Sequence, residues 1–185
     1  MKGAKSDSAR VLGTLHATDG VGVVRLEDRF DASRTQLWDA LTDPRHLRGW
    51  LGEFEEVPGG TAEPVLRGGG EYKARYYASG WEGTCRILSC QPNERALIAT
   101  TSEGEPDGMI EVSLTTEGGQ TILVIEDRGL PLEDLPAYAA GDQIHLEDLR
   151  AYLEGDGRCD ARGRWQELHP LYLGLAPEAL PYGPL

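Results

Sequence analysis

The chain has 185 residues, the size of one domain, and 39% of them are hydrophobic, enough for one core. Its 31 acidic residues outnumber 18 basic ones, and the resulting net charge of −13 argues against nucleic acid or an anionic membrane surface as a partner, because such binders need a basic face. No apolar run approaches the roughly 18 residues of a membrane span, and Met1 to Ser8 contains no hydrophobic leader, so a cytoplasmic protein is expected.

Residues 1–10 are small, polar and charged and read as a flexible tail. Val11 to Ala17 and Gly22 to Phe30 flank Thr18-Asp19-Gly20, and an Asp-Gly pair between alternating segments is a hairpin signal. Ser33 then caps a short helix over Arg34 to Thr42, with Leu37, Trp38 and Leu41 at helical spacing and Trp38 the strongest core candidate. Asp43-Pro44 opens a second short helix through Leu47 and Trp50, since proline suits a first turn.

From Glu53 to Arg128 the pattern is of strands: Phe54–Val57, Glu71–Tyr77, Trp81–Cys90, Arg95–Thr101, Met109–Thr116 and Thr121–Arg128. Pro58-Gly59-Gly60, Gly68-Gly69-Gly70, Ser79-Gly80, Pro92-Asn93 and Gly118-Gly119 supply the turns, and Glu103 to Gly108 a loop. One long helix follows over Leu132 to Glu154, with Gly155 as its stop and an irregular first turn at Pro136. Residues 156–185 are too apolar for a free linker and are expected to pack back on the domain, with a short helix over Gly163 to Tyr172. Trp165 in this extension could close a pocket or make a dimer contact, so monomer and homodimer both stay open.

Cys85, Cys90 and Cys159 are odd in number and fit no zinc spacing, and the four histidines are scattered, so reduced thiols and no structural metal are expected. Parity puts Cys85 and Cys90 on opposite faces of their strand. The same argument turns Trp81, Gly83, Cys85 and Ile87 inward, with Tyr72, Ala74 and Tyr76, and with Ile110, Val112 and Leu114. Ile122/Val124 and Leu123/Ile125 cannot be separated, because both faces are apolar. Glu126-Asp127 and Glu53/Glu55/Glu56 read as solvated acidic surface.

No nucleophile elbow, phosphate loop or metal motif occurs, so no catalytic residue and no cofactor is assigned. Gly68-Gly69-Gly70 lacks a following Lys-Ser/Thr and precedes a strand, which makes it a turn. Among 13 aromatics, 4 Trp and 7 Tyr carry a polar tip against 2 Phe, a composition suited to cavity walls and domain edges.

The run Leu26-Glu27-Asp28-Arg29-Phe30-Asp31-Ala32-Ser33-Arg34-Thr35-Gln36-Leu37-Trp38-Asp39-Ala40-Leu41-Thr42-Asp43-Pro44, followed by Leu47 and Trp50, resembles the opening of START-like (SRPBCC, Bet v 1-like) proteins. Gly83, Gln91-Pro92, Arg95 and Leu97, then Gly141, His145-Leu146, Leu149 and Leu153, are similar to the chaperone ATPase activator homologue branch. The resemblance covers about residues 20–155. It implies an α+β helix-grip fold, in which a curved antiparallel sheet wraps a long C-terminal helix over a hydrophobic cavity. Members bind apolar small molecules; some cyclise aromatic polyketides, some assist the chaperone ATPase, and some confer resistance on enediyne producers.

On this frame residues 11–155 form a ligand-binding domain, and Trp50, Tyr72, Tyr76, Trp81, Cys85, Tyr138, His145 and Leu149 are the candidate ligand-binding residues. His145 is the titratable group of most interest, since an imidazole beside a cavity can act as acid or base. The leading expectation is non-catalytic sequestration of a small hydrophobic, polycyclic, natural-product-like ligand in biosynthesis or self-resistance. A polyketide aromatase/cyclase and a chaperone ATPase co-factor are the alternatives.

Overall fold

Asp19 and Gly20 both adopt positive φ (49° and 81°), the paired left-handed geometry that closes β1 (Gly13–Thr18) tightly on β2 (Val21–Phe30). The computed structural model describes residues 10–57 and 70–179. The expected tail (apart from Arg10), the Pro58-Gly59-Gly60 turn, Gly68-Gly69 and residues 180–185 lie outside the described residues.

After the hairpin, Ser33 accepts the Gln36 N–H and the Gln36 side chain accepts the Ser33 N–H, a capping box that starts α1 (Arg34–Thr42). Asp43 caps α2 (Pro44–Trp50) with its side chain, accepting the Arg45 N–H at 2.8 Å. Six further strands follow: β3 (Gly52–Glu56), β4 (Glu71–Tyr76), β5 (Glu82–Gln91), β6 (Arg95–Thr101), β7 (Gly108–Glu117) and β8 (Gln120–Leu130). All eight pair antiparallel in the order β1-β2-β8-β7-β6-β5-β4-β3. A short 3-10 turn, Leu132–Asp134, leads into α3 (Leu135–Glu154). Pro136 sits in the first turn of α3, and Gly155 ends it at φ 82°. The last helix, α4 (Ala161–Leu173), starts two residues before the expected Gly163. The fold is α+β, the helix-grip arrangement.

Register decides what faces the helix. Counting out from the Gly118–Gly119 turn, Leu114 pairs with Leu123, Val112 with Ile125 and Ile110 with Asp127. Directly paired residues share a face, so the Leu123/Ile125 set is the inner one, which sequence alone left open. Leu123 has no exposed surface. In β5 a register shift between Ile87 and Ser89 places Cys90 opposite Ala96, a core residue. Cys85 and Cys90 therefore share the inner face, not opposite ones, because the bulge resets parity. The three thiols are free.

The outer face carries an ion-pair ladder from Arg25 to Glu126 (3.4 Å), Glu126 to Arg128, Arg128 to Glu111 (3.3 Å) and Glu111 to Arg95 (2.7 Å). Glu126 is thus buried among arginines and is not solvated surface. α3 lies across the inner face with Leu135, Ala139, Ile144, Leu146 and Leu149 against the sheet. Arg150 caps the far end of that contact, pairing with Asp28 at 2.6 Å and lying over the Phe30 ring. α4 packs on α3, and Glu178 bonds Leu15 and Ala17 at the free edge of β1. No helix among the described residues is long and apolar enough to cross a membrane.

Candidate functional site

Beside the N-terminal half of α3 a cleft of about 1210 Å³ opens between that helix, the strands and α4. Tyr138, Gly141, Asp142 and His145 line it from α3, at the three- and four-residue spacings that put side chains on one helix face. Gly141 is the step in that face without a side chain: a Cβ there would meet nothing within 4 Å. Tyr76, Trp81, Thr100, Ile110 and Asp127 line the sheet side, Glu105 the loop before β7, and Trp165 the α4 side.

The aromatic wall is built by contact. Tyr76 lies 4.9 Å from Trp81, tilted by 37°, and meets His145 edge-on at 5.3 Å. Trp81 Nε1 donates to Glu105 at 3.1 Å, fixing the indole at the rim. His145 is 8% exposed; its Nε2 faces Ser79 Oγ at 3.4 Å and its Nδ1 has no partner. Burial lowers its pKa to about 4, so the ring is neutral at physiological pH.

Two carboxylates share the cleft. Burial raises Asp127 to about 7, against the backbone N–H of Arg128 and with help from the negative charge of Glu105. Asp142 is raised well above the usual carboxylate range, by burial first and then by Asp127. Its Oδ2 is enclosed and makes no hydrogen bond. Like charges in one enclosed space cannot both ionise freely, so the pair retains a proton near neutrality. Tyr138 is also raised by burial, with Glu105 and Asp127 adding to it. Among the described residues no cluster has the geometry of a metal site.

Of the eight candidate residues, Tyr76, Trp81, Tyr138 and His145 come together in the cleft. Trp50, Tyr72, Cys85 and Leu149 do not line it. Trp50 is in the core, its Nε1 donating to Ala40 O at 3.0 Å; Tyr72 and Leu149 are core residues as well. Cys85 lies behind Tyr76, 3.8 Å from its hydroxyl, and burial holds its thiol up at about 11. Asp127 and Asp142 are what sequence reasoning missed. Asp127 reads in sequence as solvated surface beside Glu126, yet it opposes Ile110 on the inner face. Asp142 stands four residues after Tyr138 and three before His145, a spacing that could have placed it with them.

Comparison with the curated proteins gives no match. Among solved structures, the crystal structure of CalU16 from Micromonospora echinospora is 23% identical, with a TM-score of 0.69 over 88% of this chain and 94% of that one. DynU16, a protein of the dynemicin biosynthetic locus, is 24% identical with a TM-score of 0.64; the match covers 77% of this chain and 51% of DynU16. The conserved protein EF2215 from Enterococcus faecalis is 17% identical, with a TM-score of 0.61 over 89% of this chain and 92% of that one. These likenesses establish the fold. Residues 31–154, two thirds of the chain, match the model of the activator of Hsp90 ATPase homolog 1-like proteins. The chain belongs to that family, within the START-like (SRPBCC) superfamily.

Proposed function

We propose that the protein binds and sequesters a small, flat, hydrophobic natural-product-like ligand in the cleft between α3 and the sheet, without transforming it. The observation that carries this is the joined wall of Trp81, Tyr76 and His145, with Tyr138 lining the same space, around an open volume of about 1210 Å³. Concave sites of this size with a few placed polar groups are where small molecules are held. That DynU16 comes from the dynemicin biosynthetic locus favours a role in biosynthesis or self-resistance. On this reading residues 11–155 are the ligand-holding domain of a cytoplasmic protein, acting as monomer or homodimer, and the 156–185 extension closes the mouth through Trp165.

One observation favours a second reading as an aromatase/cyclase: Asp127, raised to about 7, and a neutral His145 border the same space, as a general acid and base would. Titration of the intrinsic Trp fluorescence with a panel of polycyclic aromatics tests the first reading, since Trp81 is in the wall. Saturable binding with the compound recovered intact by mass spectrometry supports sequestration. Conversion of a poly-ketone substrate supports the second reading. No binding, with capture of a chaperone instead, favours the co-factor role.

A further inference from the structure

The cleft is unusual for an apolar pocket in its charge. Glu82, Glu103, Glu105, Asp127 and Asp142 line it, against a single described guanidinium, that of exposed Arg162 on α4. Enclosed Asp142 Oδ2 makes no bond, and neither does Nδ1 of His145, a side chain more than nine-tenths buried on the same helix face. No described ion pair joins Asp127 or Asp142, so a neutral guest covering the cleft would leave any charge on that pair without a counter-charge. An organic cation would compensate it, because it supplies N–H donors and charge together. The ring faces of Tyr76, Trp81 and Tyr138 attract a cation as well. Acidic side chains beside aromatic ring faces are the complement of an ammonium group on an aromatic frame.

Given the ligand-holding reading above, we infer that the cleft selects an amine-bearing polycyclic aromatic. Asp127 and Asp142 receive the ammonium group, and the Tyr76–Trp81 wall stacks the ring system. The net charge of −13 then has a use beyond solubility, since it draws cations toward an acid-lined mouth.

The test compares three probes of one shape: aminomethyl-anthracene, hydroxymethyl-anthracene and anthracene carboxylate, titrated against Trp fluorescence at pH 8 and low salt. The amine is expected to bind at least about tenfold tighter than the alcohol, and the carboxylate weakest. In D127N/D142N, checked for folding by thermal denaturation, the amine's margin over the alcohol should disappear. The amine's margin should shrink from pH 8 to pH 6 as Asp127 takes up its proton. Glu105 from the loop, Tyr76 and Glu82 from the strands, Tyr138 and His145 from α3 and Arg162 from α4 face the same space and remain in the variant as an internal control.

Equal binding of amine and alcohol to the unmodified protein overturns this inference while leaving the ligand-holding reading intact. A margin that survives in D127N/D142N also overturns it, assigning the preference to the general acidic field. If no probe binds, both fail together.

Discussion

Tyr172 of α4 donates its hydroxyl to Gln143 Oε1 of α3 at 2.5 Å and accepts the N–H of Gly13 at 3.0 Å. Gln143 also accepts the Leu12 N–H at 3.0 Å and donates to Arg10 O at 2.6 Å. Tyr172 and Gln143 are both fully buried, so one joint fixes the start of β1, the middle of α3 and the end of α4. Through α4 it also fixes the side of the cleft that bears Trp165.

Tyr172→Phe keeps the ring and deletes that joint's hydroxyl, leaving the Gly13 N–H without its acceptor. A cost of about 1–3 kcal/mol is expected, read as a drop of several degrees in the thermal denaturation midpoint. Faster amide exchange should appear in α4 and at Gly13, and not in β5–β7. A uniform rise in exchange across the sheet would count against a local joint.

Gly141 separates folding from ligand holding. It lies inside α3 facing the cleft with open space around its missing side chain. Gly141→Ala should stabilise by up to about 1 kcal/mol, since alanine is the better helix former and nothing obstructs its methyl. Gly141→Phe places a ring in the cleft. It should leave the fold intact and weaken polycyclic binding at least about tenfold, assuming the guest needs the space. Unchanged affinity in Gly141→Phe would move the ligand out of this cleft.

Much of this architecture is legible in the residues because local chemistry and tertiary need agree. Ser33, Asp43-Pro44 and Gly155 each satisfy or stop a helix end, and Asp19-Gly20 has the backbone freedom its turn requires. Where structure and sequence differ, the reason is register, which parity along a single strand does not contain. The β5 bulge flips Cys90, and only pairing across Gly118–Gly119 shows that Asp127 faces inward while Glu126 faces out. Both strands of that hairpin carry apolar residues near the pair, so hydropathy does not separate the two faces. The cleft itself is a tertiary fact. It depends on how α3 and α4 lie beside the sheet, and no local pattern encodes either. Trp50 and Leu149 are as apolar as wall residues, but packing puts them in the core.

Two buried groups give stability opposing pH dependences. His145 titrates near 4 in the folded state and near 6.5 when unfolded. Between those values the unfolded chain binds a proton that the folded one refuses, so acidification destabilises. Asp127 titrates near 7 folded and near 3.8 unfolded, so in the same window the folded state holds the extra proton and acidification stabilises. Removing one should expose the other. Relative to the unmodified protein, His145→Gln is expected to gain stability as pH falls from 6.5 to 4, and Asp127→Asn to lose it. Denaturant titrations at several pH values check both directions, and parallel curves for all three proteins would refute the assignment.

Cys159 tests whether the short link between α3 and α4 is held as the structure has it. The residue is exposed, and an exposed thiol would ordinarily alkylate readily near pH 8.5. Here its N–H donates to Asp148 Oδ1 at 2.8 Å, and although the residue as a whole is exposed, partial burial of its sulfur, then the negative charge of Asp148, pushes the thiol pKa up to about 12. Reaction goes through the thiolate, so Cys159 should react with iodoacetamide at pH 8 far more slowly than an unstructured cysteine. Cys85, buried behind Tyr76, should be slower still. Asp148→Asn removes the repelling charge and should speed Cys159 alkylation several-fold while leaving Cys90 unchanged, as followed by mass spectrometry of the labelled peptides. Rapid labelling of Cys159 in the unmodified protein would mean that the link is open in solution and that Asp148 does not hold it.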